Sequence, residues 1–411
     1  MNCSYIHLDR KPNLEKEVLV TYLVTPQDGG SLIKAAENIA AESSVGTWTP
    51  VGGLSSKIFD ELAAYVYEIN DETRIVKIAY PLNLFEMGNL PQLASSVLGN
   101  IFSMKEIKAL RALDIEFPTD YINNFNGPTL GLSGVREMMG IHDRPIVGSI
   151  MKPKIGLNPK QNAELAYQVW MGGVDLIKDD ENLTDLSISP FAQRVAEIME
   201  VKHKVEEETG QTKLYAFNIT GPIDLMIKRG ELVADQGGRC IMVDITPVGW
   251  AGVQEITDRF PQMSIHGHRA GHAMFSRSPE HGQTMLIVAK MARLAGIDQL
   301  HTGTVVGKME GEASDVLPIN NFLRSKWGNL KPVMPIASGG LHPGLMPDLI
   351  KILGSDLIIN FGGGIHGHPD GSRAGAEAAR AAIDAAVSGE PLTQAAQRCP
   401  ALARALTYWS N

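Results

Sequence analysis

From about Pro145 to the C-terminus, short runs of β-branched and apolar residues recur every few tens of residues. Each is followed by a stretch with the apolar spacing of an amphipathic helix, and that alternation predicts parallel β/α units. The runs are PIVGSIM (145–151), VDLIKD (174–179), KLYAFNI (213–219), CIMVDI (240–245), MSIHGH (263–268), DQLHTGT (298–304), PVMPIAS (332–338) and DLIINF (356–361). Among the helices between and after them, 191–207 is amphipathic and 375–387 is Ala-rich with strong intrinsic propensity. Eight such units over about 250 residues match an α/β fold of the (β/α)8 (TIM) barrel type, with a doubly wound open sheet as the alternative. There is no repeat of fixed period and no low-complexity segment, which disfavours solenoids.

The first 125 residues lack this unit. VLVTYLV (18–24) and RIVKIAYP (74–81) read as strands, while SLIKAAENIAAES (31–43) and a segment around 90–98 read as helices. The expectation is a smaller α+β, ferredoxin-like domain at 1–125, then a barrel at 126–411. The boundary falls in the Asn/Gly/Pro-containing stretch YINNFNGPTLGLSG (121–134).

Composition narrows the classes. With 44% hydrophobic and 20% charged residues, the chain is globular rather than disordered, collagenous or coiled-coil. A net charge of -9 argues against the broad basic face that nucleic acid or an anionic membrane favours, so an anionic ligand must meet a local cluster of Lys and Arg. No apolar run approaches a membrane span and the start, MNCSYIHLDRKPN, lacks a signal-peptide core, which points to the cytoplasm. Cys3, Cys240 and Cys399 are odd in number and lack CxxC spacing, so neither a disulfide scaffold nor a zinc site is indicated. Glycine is the outlier, at 41 of 411 residues.

Barrel chemistry concentrates at the C-terminal ends of the strands. The first run leads into Lys152 and Lys154, which alternation places on one side of an extended chain, where they would attract an anion. The second ends in Lys178, Asp179, Asp180, Glu181 and Asn182, and such grouped carboxylates suit a hard cation such as magnesium. Lys178 cannot itself ligate a metal as an ammonium. It is a salt-bridge partner, a Schiff-base nucleophile, or a lysine that carbon dioxide converts into a carbamate. The fifth run brings His266, His268, Arg269 and His272 together, with Arg269 offering a fork for phosphate. The sixth ends at His301 and runs through Gly303 and Gly307 to Lys308, the pattern of a mobile lid delivering a cation. It lacks the full spacing of an ATP-binding phosphate loop. The last two end in Ser338-Gly339-Gly340 and Gly362-Gly363-Gly364, where backbone N–H groups are open to a phosphate. Two separated anion sites flanking a magnesium-type cluster suit a sugar phosphorylated at both ends and chemistry through an enediolate. Aldolase, isomerase and carboxylase remain open at this point.

These motifs carry a family resemblance. Through AAESSVGTWT, KIAYPLNLFE, GNIFSMK, FNGPTLGL, KPKIGL, GGVDLIKDDEN, HGHRAGHA, HTGTVVGKMEGE, SGGLHPG and FGGGIHGHPDG, the chain resembles the large subunit of ribulose-1,5-bisphosphate carboxylase/oxygenase (RuBisCO), most closely its archaeal form III branch. The resemblance implies that Lys178, as a carbamate, joins Asp180 and Glu181 as magnesium ligands and acts as the base that forms the enediolate. It implies that Lys152 protonates the final carbanion, that Lys154 supports it near the metal, and that His268 transfers protons and binds a hydroxyl. Arg269 and His301 match one phosphate site; Gly339, Gly340, Gly362 and Gly363 match the other. Ser338 matches a hydroxyl contact and Lys308 the lid lysine that orients carbon dioxide. Glu42, Thr47, Trp48 and Asn100 match residues that complete the neighbouring subunit's site, which implies a homodimer or higher homo-oligomer; no small subunit is expected.

The chain departs from the pattern at several places. Asn360, on the substrate side of the last strand, stands where glutamine is usual, Ile365-His366 replaces a Thr-Leu pair, Gly271 stands where methionine is frequent, and the segment between Glu312 and Trp327 is short. RuBisCO-like enolases and isomerases of other sugar phosphates typically lose several of these lysines and histidines, whereas this chain keeps them. The expected activity is therefore magnesium-dependent carboxylation of ribulose-1,5-bisphosphate to 3-phosphoglycerate, with oxygenation beside it. The alternatives are a RuBisCO-like enolase, isomerase or decarboxylase, and a noncatalytic storage role.

Overall fold

The computed structural model describes residues 4–47, 53–307 and 313–409. Contact density divides the chain into two compact units, one of Met1–Asn126, Gly271–Ala295 and Lys326–Leu330, the other of Gly127–Ala270, Gly296–Ser325 and Lys331–Asn411.

The first unit is built on strands β1 (Glu17–Pro26), β2 (Tyr65–Asn70), β3 (Ile75–Pro81) and β4 (Ile107–Glu116), antiparallel in the order β4-β1-β3-β2. Helices at Leu32–Glu42 and Leu90–Val97 follow β1 and β3, which gives the split βαβ arrangement of a ferredoxin-like domain. The elements expected at 18–24, 31–43, 74–81 and 90–98 are all present. β2 and β4 were not expected, because YVYEIN and IKALRALDIE interleave charged residues with apolar ones and bury only alternate or scattered positions.

The second unit is the barrel. Strands β5 (Ile146–Ile150), β6 (Leu176–Lys178), β7 (Leu214–Asn218), β8 (Cys240–Asp244) and β9 (Ser264–His268) run parallel. The chain then makes β10 (Gly282–Gln283), which pairs with β4 in the first unit's sheet, before returning as β11 (Gln299–His301), β12 (Met334–Ser338) and β13 (Ile358–Phe361). The eight barrel strands close with β13 beside β5 and β9 beside β11, and all eight coincide with the expected runs. No helix of the described residues is long and apolar enough to cross a membrane.

Side-chain alternation layers the interior. One alternate set of strand positions forms an apolar floor of Ile146, Leu176, Leu214, Ala216, Cys240, Met242, Met334, Ile336 and Ile358, joined by Val135, Met139 and Ile141. Fully burying one large aliphatic side chain stabilises by roughly 1.5–3 kcal/mol. Two residues further along the same strands, the same face carries Lys178, Asn218, Asp244, Ser338 and Asn360. The floor thus places a polar ring above it, and the period of two that built the strands also aims their terminal residues.

Two polar devices fix the barrel. Below the floor, Arg144 grips Asp175 in a bidentate pair, Nη1 to Oδ2 at 2.6 Å and Nη2 to Oδ1 at 2.9 Å, while Val147 N donates to the same carboxylate at 2.8 Å. Near the closing seam, His366 links β5 to the last long helix, with Nε2 3.2 Å from Ser149 Oγ and Nδ1 3.0 Å from Ser372 Oγ. His366 therefore has a structural partner on each side. Burial, with the charge of Lys152, pushes the His366 imidazole down to about 4.

Two outcomes follow. Arg144→Ala leaves Asp175 buried with only the more distant Arg380, 3.9 Å away, for a cation and should lower unfolding free energy by about 3 kcal/mol in urea titrations. His366 favours its neutral form in the fold, so its contribution is present above the ordinary imidazole value of 6.5 and is lost as pH falls toward about 4. The wild type should therefore lose stability more steeply across that window than His366→Gln; parallel slopes would show that the imidazole titrates normally.

Candidate active site

The C-terminal end of the barrel gathers the chemistry. Lys178, at the end of β6, is fully buried and donates to Asp179 O at 2.7 Å. Desolvation lowers its amine from the ordinary lysine range, against the opposing pull of Glu181, Asp180 and Asp244. The following residues divide by role. Asp179 is a buried structural acceptor, receiving Tyr215 OH at 2.7 Å, Asn218 N at 3.0 Å and Arg194 Nη2 at 3.3 Å. Asp180 and Glu181 face the two lysines that follow β5: Lys152 Nζ lies 2.6 Å from Asp180 Oδ2 and Lys154 Nζ 3.1 Å from Glu181 Oε1. Burial works to raise the Glu181 carboxyl, yet a backbone N–H and the charges of Lys178 and Lys154 hold it down at about 2. The cis peptide between Lys152 and Pro153 lies between these contacts.

The histidines stand across the ring. His268 Nδ1 is 2.7 Å from Asp244 Oδ1, and its Nε2 is 3.8 Å from Glu181 Oε2. A carboxylate only accepts, so Nδ1 carries the proton and Nε2 is left facing the Glu181 side. Burial and the Lys178 charge lower the imidazole's affinity for a second proton. His266 and His301 face each other through their Nε2 atoms at 2.9 Å, and His301 Nδ1 lies 2.9 Å from Ser338 Oγ. His272, grouped with these residues in the sequence, lies in the first unit, where its Nδ1 is 2.8 Å from Ser276 Oγ.

Arg269 is partly buried, and desolvation lowers its guanidinium to about 10. Gly303 explains how it fits: a Cβ there would come 2.7 Å from Arg269 Nη2, and φ of +100° is one that side chains avoid. Gly339 and Gly340 likewise adopt φ of 112° and 64°, turning the chain directly after Ser338. A Cβ added at Gly363 would meet nothing within 4 Å, and at Gly362 only Lys152 Cε at 3.5 Å, so this backbone is open to a ligand. Asn360 is buried against Gly148, and neither amide atom of its side chain has a hydrogen-bond partner among the described residues.

Glu42, Thr47 and Asn100 all lie in the first unit, Glu42 ending the helix Leu32–Glu42 and Asn100 opening the short turn Asn100–Ser103. Trp48 and Lys308 lie outside the described residues. Residues that the sequence reading passed over also belong to the ring or its support. Asn218 Nδ2 donates to Asp180 O and Glu181 O at 3.3 and 3.1 Å and clamps the carboxylate loop, and Asp244 orients His268. The signal was available: each stands two places beyond an inward apolar residue of its strand, Ala216 and Met242.

Comparison with known proteins agrees with this geometry. Residues 4–121 match the family model "Ribulose bisphosphate carboxylase large chain, N-terminal domain", and residues 131–409 match that of the catalytic domain. The ribulose bisphosphate carboxylase of Pyrococcus abyssi is 49% identical over 410 residues, covering 99% of this chain and 96% of that protein. The crystal structure of an octameric RuBisCO from Pyrococcus horikoshii superposes with a TM-score of 0.94 at 48% identity, covering 98% of this chain and 97% of that one. A dimeric archaeal RuBisCO from Hyperthermus butylicus gives 0.93 at 44% identity, covering 98% of each chain. The fold, the ordered motifs and these full-length likenesses together place the chain in the ribulose bisphosphate carboxylase large chain family.

Proposed function

We propose that this protein is a carbon–carbon lyase that carboxylates ribulose-1,5-bisphosphate in a magnesium-dependent reaction giving 3-phosphoglycerate, with oxygenation as a side reaction. The observation that carries the reading is the desolvated Lys178 amine set between Asp180, Glu181 and the Lys152 and Lys154 pair.

The donor set fits magnesium on one condition. Among the described residues no group of three His, Cys, Asp or Glu side chains is arranged to hold a metal ion. Asp180 and Glu181 supply two carboxylates, and a third oxygen donor must come from Lys178. A buried lysine with a lowered proton affinity provides the free lone pair needed: nitrogen bonds to the carbon of carbon dioxide, a proton leaves, and the product is a carbamate with two oxygens. Magnesium, when bound by these oxygens, supplies Lewis acidity toward a substrate carbonyl or diol.

The chain's own groups do the rest. His268, with its proton fixed on Nδ1 by Asp244, presents Nε2 to accept a hydroxyl proton. The Lys152 ammonium is the acid available to protonate the final carbanion, and Lys154 supports it. Arg269, beside His301, faces one phosphate; the Gly339, Gly340, Gly362 and Gly363 backbone faces the other, while Ser338 and Asn360 address the sugar between them. Lys308 orients carbon dioxide from the lid. The division near residue 125 is functional in this reading, because Glu42, Thr47, Trp48 and Asn100 of one subunit complete the site of a second. Octameric and dimeric relatives, both multiples of two, support a homodimeric unit.

Purified protein given magnesium, labelled bicarbonate and ribulose-1,5-bisphosphate should form acid-stable label; turnover of the sugar without fixation would assign it to enolisation alone. Lys178→Ala should reduce fixation by about 10²–10⁴-fold, the range for losing a positioned proton-transfer group. Mixing subunits of Lys178→Ala with subunits of Glu42→Gln, each nearly inactive alone, should restore activity by reconstituting one intact shared site per mixed dimer. No recovery after verified exchange would exclude sharing.

A further inference from the structure

A chain of buried hydrogen bonds runs from the barrel interior to its mouth. Gln299 Nε2 donates to Ser264 Oγ at 2.7 Å, and Gln299 Oε1 lies 2.9 Å from His266 Nδ1. The His266 and His301 Nε2 atoms are 2.9 Å apart, and His301 Nδ1 is 2.9 Å from Ser338 Oγ. Strand register makes Gln299 and His266 direct neighbours across β11 and β9, and Ser264, His266, Gln299 and His301 are all buried.

Such a chain has a direction. A neutral imidazole has one donor and one acceptor nitrogen, and two ring nitrogens at 2.9 Å share one proton. Burial lowers the proton affinity of both rings well below the usual range, so neither carries a second proton. The direction is then decided at the far end. There the Gln299 amide nitrogen, which can only donate, lies 2.7 Å from Ser264 Oγ. The Gln299 carbonyl must therefore face His266. Each link follows: His266 is protonated on Nδ1, its Nε2 accepts from His301 Nε2–H, and His301 Nδ1 accepts from the Ser338 hydroxyl.

We propose that Gln299, acting through His266 and His301, is a positioning residue that fixes Ser338 Oγ as a hydrogen-bond acceptor toward the substrate. Ser338 then selects a ligand hydroxyl, which has a proton to give, over a carbonyl or phosphate oxygen, which does not. The reverse polarity would leave the Ser338 proton free to point at the ligand and would lose that discrimination. The role of Ser338 rests on the function proposed above; the direction of the chain does not.

Neutron diffraction from deuterated crystals reads that direction without turnover. Deuterium is expected on His266 Nδ1, on His301 Nε2, and on Ser338 Oγ pointing at His301; the opposite set overturns the inference whatever the enzyme catalyses. The positioning role is read by a double-mutant cycle. Gln299→Leu should raise the KM for ribulose-1,5-bisphosphate by about tenfold, the scale of one neutral hydrogen bond, with kcat within about twofold. In a Ser338→Ala background the same substitution should change KM by less than about twofold, because the group it acts through is gone. An equal effect in both backgrounds, or none in either, would show that Gln299 only packs. Should Gln299→Leu fail to fold, the deuterium positions still decide the direction.

Discussion

An amine without water is the condition that organises the upper barrel. Lys178 is sealed among strand residues, and a charged ammonium there is costly unless partners compensate it. The neighbourhood responds with Asp180 and Glu181 on the same strand end, Asp244 on β8 and a backbone carbonyl, yet burial still outweighs them and lowers the amine's proton affinity. The same burial that makes the residue an awkward occupant of a hydrophobic barrel moves its nitrogen toward the unprotonated state that a nucleophile needs. Packing and reactivity are two readings of one desolvation.

The carboxylates around it show how a short acidic run is sorted by the backbone. Asp179 points away from the ring and is consumed by Tyr215, Arg194 and the Asn218 amide. Asp180 and Glu181 follow, and their oxygens are approached by Lys152 and Lys154. Adjacent residues of like chemistry thus serve as a buried rivet and as the acceptors that meet Lys152 and Lys154.

The sequence made the barrel legible because each strand is a compact apolar run and each helix has its own period. It made Lys178, His268, His301, Ser338 and the glycine turns legible because strand ends are where barrels keep polar residues. Three things were not legible, for physical reasons. β2 and β4 are half-exposed, so their apolar signal is diluted by charge. The excursion carrying β10 leaves the barrel between β9 and β11 to join the other sheet, a long-range pairing of two residues that no local pattern announces. Asn218, Asp244 and Gln299 act on other side chains through register, and register is a property of strand pairs rather than of one strand.

The layering of the interior separates what selection can act on. The Arg144–Asp175 pair and the apolar floor lie at one end of the strands, and the polar ring at the other. A substitution at the ring acts on polar groups at the barrel mouth, while the floor continues to define the same eight-stranded enclosure. The chemistry of the mouth is thus separable from the architecture, and the Asn360 amide, buried above the floor with no hydrogen-bond partner among the described residues, is a polar group that the enclosure itself does not require.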